Sequence, residues 1–236
     1  MKTRNSLFVI LVSLVSALAF AAVGASVQHI RMTTDGKAAT VTIVNTSNKY
    51  ISAFAVDADM TFPDGTAQHL IYSRDLLSIL SNEQRAGGEM NDKAIRPGDT
   101  YDYTITFSKP ASNVAANIGG VLYTDGTGEG SDEVAYRGLT DTRQMQAKAL
   151  HDAINILQSA HSVAEAENAV NQALYSNHAS YNPNSALGGE LLRVLHNLKN
   201  DVKRGMSDQA ALSANLDDLR QQAQITTSHS KIRRLP

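Results

Sequence analysis

Two aspartates close together in the chain have a spacing that suits chemistry. Asp57 and Asp59 lie two positions apart in an alternating segment, so on a β-strand their carboxylates project from the same face. Paired carboxylates can carry out acid–base hydrolysis of glycosides. The intervening and flanking residues Val56, Ala58 and Met60 are apolar, which also fits a strand with one solvated face. We prefer the solvated face and keep catalysis as the alternative.

An acidic, glycine-rich stretch is the second candidate. Asp125, Glu129 and Asp132 lie close together in the sequence, and carboxylates on a flexible loop are ligands that calcium prefers. An EF-hand loop beginning at Asp125 would need a bidentate carboxylate at its last position, where the chain has Tyr136. Asp132 and Glu133 also fit a helix start, where the helix dipole favours negative charge. We expect the helix start, with calcium at Asp125, Glu129 and Asp132 as the alternative.

No familiar catalytic or cofactor motif is present. The seven histidines are scattered, and no two have the i, i+4 spacing of zinc ligands on a helix. The sequence contains no Gly-x-Ser-x-Gly, His-Glu-x-x-His or Walker phosphate loop. The glycines of 126–130 lack the spacing of a dinucleotide loop, and Glu129 would repel a pyrophosphate. We therefore predict no catalytic residue and no cofactor, and a flexible connection over 126–130.

The N-terminal segment predicts export. Two basic residues, Lys2 and Arg4, precede the apolar run Leu7–Phe20, and small residues follow. These are the parts of a secretory signal peptide. Cuts after Ala21 and after Ala25 both satisfy the small-x-small rule, and we prefer Ala25 because polar residues resume soon after it. An uncleaved membrane anchor is the alternative, since the run is nearly long enough to span a bilayer.

Composition narrows the class of protein further. The chain has 236 residues, of which 42% are hydrophobic and 19% charged, and it has no cysteine. It is too apolar for a disordered protein and has no possible disulfide, cysteine-bound metal or acylated cysteine. Removal of residues 1–25 leaves a net charge near −4, which gives no general attraction to nucleic acid. We expect a secreted or periplasmic bacterial envelope protein with no membrane-spanning segment after signal removal.

The mature chain changes character near residue 130. Threonine and aromatic residues dominate 26–130, and leucine dominates the region after it, which favours strands first and helices second. Glycine-containing turn signals at 35–36, 64–65, 97–98 and 125–126 separate the alternating segments. The pattern predicts an antiparallel sandwich over 26–130, with a short helical crossover at 74–88. The residues predicted to face inward are Ala39, Val41, Ile43, Phe54, Val56, Ala58, Met60, Phe62, Tyr101, Tyr103, Ile105 and Phe107.

The region 131–225 predicts four helices. The first covers 132–160, and a capping box at Ser162–Glu165 begins the second. Leucine stripes at 187–202 and 212–223 repeat with spacings of four, three and four, which favours an antiparallel helical hairpin. The periodicity ends at Thr226, so we expect 226–236 to be a flexible tail. The predicted inward residues of the first helix are Leu139, Met145, Ala149, Ala153, Ile154 and Leu157.

Two segments resemble a known kind of domain. Arg96-Pro97-Gly98-Asp99 leading into Tyr101–Phe107 resembles a late strand of bacterial immunoglobulin-like or fibronectin-III-like domains. The run Val121–Thr127 before a helix is similar to uncharacterised secreted bacterial proteins with such a sandwich. The resemblance covers about half of the chain. It implies the sandwich fold and an export route, and it transfers no activity or site residue.

These observations lead to two functional hypotheses. The first is a non-catalytic α+β envelope protein, an immunoglobulin-like sandwich followed by a helical bundle. It would bind another envelope protein or a second copy of itself, since such sandwiches often serve in interactions and no reactive motif is present. The alternative is a hydrolase whose site forms between the sandwich and the helices, where histidines and aspartates meet only in space.

Overall fold

The computed structural model of the protein describes residues 23–77, 94–175 and 185–235. Over these ranges the chain is a mixed α+β protein with eight strands in two sheets and four helices that follow the seventh strand. The predicted order of strands before helices is thereby confirmed. The short helix expected at 74–88 falls largely outside the described residues, as do residues 1–22. No helix in the described ranges is both long and apolar enough to cross a membrane.

The strands form one small and one larger sheet. The three-stranded sheet has the antiparallel order β1-β2-β5. The five-stranded sheet has the order β4-β3-β6-β7-β8, and only its last pair, β7 with β8, is parallel. The strands are β1 (Ala25–Met32), β2 (Ala38–Asn45), β3 (Ile51–Thr61), β4 (Ala67–Asp75), β5 (Thr100–Thr106), β6 (Asn113–Tyr123), β7 (Thr127–Gly130) and β8 (Arg233–Arg234).

The main core draws residues from both sheets, as the alternation predicted. Val41 and Ile43 of β2 and Phe54 of β3 are fully buried in one cluster. Tyr101 and Tyr103 of β5 contact the Phe54 ring edge-on, with centroids 5.5 and 5.3 Å away, a favourable aromatic geometry. The glycines of all four predicted turns have positive φ, so the local turn chemistry was predicted correctly.

The helices begin close to the predicted positions, and the last of them extends beyond its predicted end. They are α1 (Glu133–Leu157), α2 (Val163–Tyr175), α3 (Ala186–Lys203) and α4 (Asp208–Ser230). Ser185 and Ser207 cap α3 and α4 through their side-chain oxygens, which supplies acceptors for otherwise unpaired N–H groups. Gly205, with φ of 97°, follows the end of α3. The leucine stripes of α3 and α4 are packed into one helical core.

Helix α1 connects this helical core to the five-stranded sheet. Its first half places Ala135, Tyr136 and Leu139 on Ala53 and Ala55 of β3. Its second half buries a different set of residues among the other helices, namely Leu150, Ala153 and Leu157. One predicted inward residue is wrong, because the side chain of Met145 is 58% exposed. The two halves of the chain therefore share α1 as a common structural element.

The glycine-rich segment 126–130 consists of the turn residue Gly126 and strand β7, and is not the predicted flexible connection. It pairs with β6 from Gly120 to Leu122. Its glycines allow the ring of Tyr136 to approach closely, since a Cβ on Gly130 would lie 2.6 Å from the Cβ of Tyr136. The glycines that predicted a loop are instead positions where Tyr136 packs closely against the strand backbone.

The C-terminal segment is also ordered, so the predicted flexible tail is wrong over 226–235. Helix α4 continues to Ser230, and the chain then forms β8 beside β7. The Arg233 N–H donates to the Gly126 carbonyl, and the Leu235 N–H donates to the Gly128 carbonyl. Ile232 and Leu235 pack against the buried clusters of the sheets. This burial depends on pairing with β7, which lies about a hundred residues earlier in the chain. The periodicity of a segment does not predict such a distant partner.

Candidate functional site

A cleft of about 680 Å³ lies where the two sheets and the start of α1 meet. We call it the Asp57 cleft. Its volume is in the range of small-molecule and side-chain binding pockets. Its lining residues are Val23, Ala25, Ser26, Val27, Thr46, Asp57, Asn117, Ile118, Ser131 and Asp132.

The strand pattern places Asp57 in this cleft. Val56 and Ala58 on either side are fully buried in the core, so the side chain of Asp57 projects from the opposite face of β3. Asn117 of β6 is its cross-strand partner. The register of β3 and β6 shifts between Ala55 and Val56. The alternation correctly predicted that Asp57 lies on the face opposite Val56 and Ala58. The expected solvation is found at Asp59 but not at Asp57, whose Oδ1 is shielded from solvent, and the sequence did not predict Asn117 beside it.

The start of α1 forms the wall next to Asp57. The Asp132 N–H donates to the Gly119 carbonyl at 3.0 Å, and the Ser131 hydroxyl donates to the Ile118 carbonyl at 2.9 Å. Asp132 is the N-cap of α1, and its Oδ1 accepts the Ala135 N–H at 2.7 Å. These bonds attach the helix terminus to β6, so Asp132 is fixed in the cleft lining.

The Asp57 carboxylate has an unusual environment. Its Oδ1 is shielded from solvent and makes no hydrogen bond. Burial raises the pKa of Asp57, and the negative charges of Asp132 and Asp59 act in the same direction, whereas His69 opposes them. An aspartate in such surroundings retains its proton to a higher pH than an exposed one.

Asp59 has a different role from Asp57, although both are on the same strand. Its Oδ1 lies 2.9 Å from Nδ1 of His69, its cross-strand partner on β4, and both side chains are well exposed. The hydrogen bond to Asp59 raises the pKa of His69. The sequence analysis did not predict a role for His69. The turn at 63–66 determines which residues of β3 and β4 lie opposite each other, so the pairing of His69 with Asp59 could have been predicted from that turn.

The three carboxylates of the alternative calcium site each bind a protein group. Asp125 pairs with Lys49 at 2.9 Å and accepts the Thr127 N–H, while Asp132 caps α1. Glu129 accepts the Tyr123 hydroxyl at 3.0 Å, and burial raises the pKa of Tyr123, which keeps that donor protonated. In the part of the chain that the structure describes, no three histidine or acidic side chains are grouped to hold a metal ion.

The described histidines of the helical region are not among the residues that line the Asp57 cleft. His196 lines a separate polar groove of about 350 Å³ between α3 and α4, beside Asp201 and Asn215. The Asn215 amide donates to Asp201 at 2.9 Å, so part of this polar lining is internally paired. Among the described residues that line the Asp57 cleft there is no histidine, lysine or arginine. Its chemistry is that of two carboxylates, an amide and hydroxyls beside apolar walls.

Comparisons with known proteins do not assign a family. The sequence matches no protein-family model and no curated protein. A crystal structure of a hypothetical protein from Peptoclostridium difficile 630 is similar at 11% identity over 45% of this chain and 84% of that chain. The TM-score is 0.26, which is too low to support an argument about fold or function.

Proposed function

We propose that the protein is a secreted or periplasmic, non-catalytic binding module that accepts a basic side chain of a protein partner in the Asp57 cleft. The observation that carries the proposal is the charge of the lining. Two carboxylates, Asp57 and Asp132, face a cleft whose described lining contains no cationic side chain. Charge complementarity of this kind selects partners and orients them.

The lining of the cleft also suits the apolar stem of a lysine or arginine side chain. Val23, Val27 and Ile118 provide apolar lining, along which the methylene stem of a basic side chain can pack. Asn117, Ser131 and the carboxylates provide acceptors for its N–H groups. Burial disfavours the ionised form of Asp57. A cationic N–H donor of the partner beside Asp57 would stabilise that ionised form.

The strand order supports an immunoglobulin-like or fibronectin-III-like sandwich as the carrier of this site. In constant-type immunoglobulin domains the first, second and fifth strands share one sheet, and the third, sixth and seventh share the other. β1-β2-β5 and β3-β6-β7 follow this division. The fourth strand pairs with β3 here, whereas in the constant-type domain it pairs with the fifth. Such sandwiches commonly serve as interaction modules.

A charge-matched variant tests the proposal. The mature protein, immobilised, is expected to retain a protein from the native envelope, and added polylysine should displace that protein. Asp57→Asn should lose this capture while remaining folded. Asp59→Asn removes a carboxylate two positions away on the same strand face and should retain it. Equal capture by both variants, or no effect of polylysine, would reject the cleft as the binding site.

One observation favours a hydrolase as the second candidate. Asp57 and Asp132 lie in one cleft between the sheets and α1, where the alternative hypothesis placed a site, and the pKa of Asp57 is raised. A protonated and an ionised carboxylate are the pair used in glycoside hydrolysis. The N-cap bond of Asp132 opposes this role, because that carboxylate already accepts the Ala135 N–H. Release of reducing sugar from envelope polysaccharide, lost in Asp57→Asn, would establish the enzyme instead.

A further inference from the structure

Residues 23–25 are built into the folded part of the protein. Val23 is 9% exposed and Ala25 is 5% exposed, and both belong to the buried cluster between the sheets. Ala25 is also the first residue of β1, where it pairs with Asn45 of β2. These residues therefore contribute to the core before the predicted mature chain begins at Ser26.

Gly24 connects this segment to both sheets. Its N–H donates to Oε2 of Glu129 on β7 at 2.9 Å. Its carbonyl accepts the N–H groups of Thr46 and Ser47, at 3.0 and 3.1 Å, just after β2. Glu129 also accepts the Tyr123 hydroxyl through its other oxygen. The Gly24 backbone thus donates a hydrogen bond to β7 and accepts hydrogen bonds from the segment that follows β2.

The fit around Gly24 leaves no room for a Cβ unless its neighbours move. A Cβ at this position would lie 2.0 Å from the Tyr123 hydroxyl oxygen and 2.7 Å from the Cβ of Ser47. Real Cβ atoms do not approach neighbours at such distances, so the surrounding structure is shaped to the glycine backbone. A segment discarded with a leader peptide would have no reason to fit the folded domain in this way.

The two possible cuts have different consequences for these contacts. Cleavage after Ala25 would remove Val23 from the core and remove the N–H that Glu129 accepts. It would also remove the carbonyl that accepts the Thr46 N–H, whereas the Ser47 N–H would keep Asn45 Oδ1 as an acceptor at 3.0 Å. Cleavage after Ala21 retains every one of these contacts. Ala19 and Ala21 satisfy the small-x-small rule for that cut.

We infer that a signal peptidase cuts between Ala21 and Ala22, and not after Ala25 as the sequence pattern favoured. Water is the co-reactant: the peptide C–N bond breaks, the Ala21 carbonyl becomes a carboxylate, and the Ala22 nitrogen becomes an ammonium group. The mature protein then begins at Ala22, one residue before the buried segment. The inference rests on the proposed export of the protein.

The N-terminus of the exported protein tests the inference directly. The full chain is expressed in a Gram-negative host, and the secreted and periplasmic fractions are analysed by intact mass and N-terminal sequencing. A first residue of Ala22 is the expected result. A first residue of Ser26 would overturn the cleavage site while leaving export intact. An uncut chain beginning at Met1, or a chain confined to the cytoplasm, would overturn both the site and the proposed export.

A variant outside the mature chain separates processing from folding. Ala21→Leu places a large residue at the position before the inferred cut, and its product should be uncut precursor or a shortened chain beginning at Ser26. Ala17→Leu is the matched control within the apolar run and should be processed normally. If Ala21→Leu yields the same N-terminus as the wild type, the inference is wrong.

Discussion

Arg143 of α1 and Asp75 at the end of β4 form a bidentate ion pair, although they lie 68 positions apart in the sequence. Arg143 Nε donates to Asp75 Oδ2 at 2.8 Å, and Nη2 donates to Oδ1 at 2.9 Å. The Arg143 side chain is 1% exposed, and its guanidinium also donates to the hydroxyl of the fully buried Ser52. The pair fixes α1 against the five-stranded sheet and thereby helps to hold the helix start at the Asp57 cleft.

Loss of one partner of this pair should be strongly destabilising. Asp75→Asn leaves the Arg143 charge buried without its counter-charge, and we expect the free energy of unfolding to fall by roughly 3–5 kcal/mol. Arg137→Met breaks an exposed pair with Glu133 on the same helix, and it should cost at most about 1 kcal/mol. Urea unfolding followed by circular dichroism measures both. Equal effects of the two variants would contradict the structural role of the buried pair.

The pKa of Asp57 predicts a pH-dependent effect on stability. Because the folded-state pKa is raised above the ordinary value of 3.8, the folded state binds the proton more tightly than the unfolded state. Stability therefore falls as pH rises from 3.8 through the folded-state pKa. Asp57→Asn removes this loss, so the variant should be more stable than the wild type at pH 7.

The difference between Asp57→Asn and the wild type should shrink as the pH is lowered through 3.8, because the wild-type carboxyl is protonated in both states only well below that value. Melting temperatures across a pH series measure this trend. Asp59→Asn is the control, because Asp59 is exposed and pairs with His69. A wild-type advantage at neutral pH would show that the ionised Asp57 has a stabilising partner.

Gly119 is predicted to be required for the contact between α1 and the sheet. A Cβ here would lie 2.6 Å from the Cβ of Ala135 and 2.6 Å from Oδ2 of Asp57. Gly119→Ala should therefore destabilise by about 1–3 kcal/mol through overpacking. Gly138→Ala lies on α1 with no atom near its new Cβ, and it should be neutral or stabilising by up to about 1 kcal/mol. Denaturant unfolding of the two variants checks the contrast.

The C-terminal strand should be measurably ordered in solution. The Arg233 and Leu235 amides donate to carbonyls of β7 and its turn, so both should exchange slowly with deuterium. Leu235→Ala removes part of the apolar contact with the core and should cost about 1 kcal/mol. Arg233→Ala changes an exposed side chain and should have little effect. Fast exchange at both amides would show that β8 does not persist.

Calcium should not change the melting temperature. Asp125, Glu129 and Asp132 each already bind a protein donor, so coordination of an ion would require those bonds to break. Thermal unfolding with saturating calcium and then with chelator measures the effect. A chelator-reversible rise of several degrees would show that the three carboxylates do converge on calcium.

Local features of this fold could be predicted because they depend on near neighbours in the chain. Alternation placed Val41 and Phe54 in the core, since successive side chains of a strand face opposite sides. Glycine marked the turn at Gly65, and the spacing of leucines identified α3 and α4. The same alternation placed Asp57 on the outer face of β3, which was the part of the candidate site that sequence could supply.

The tertiary structure decided which of these elements meet, and therefore what the site contains. Asn117, Asp132 and Val23 join Asp57 through contacts between distant segments. The segment 127–130 contains loop-forming residues yet forms strand β7, and its glycines leave room for Tyr136. Periodicity specifies which face of an element is apolar but not which element covers that face. The charge, the cysteine content and the alternation of faces along β3 were thus properties of the sequence by itself. The cleft, the cover that α1 gives to the outer face of β3, the buried Arg143 and the ordered C-terminus arose only from long-range packing.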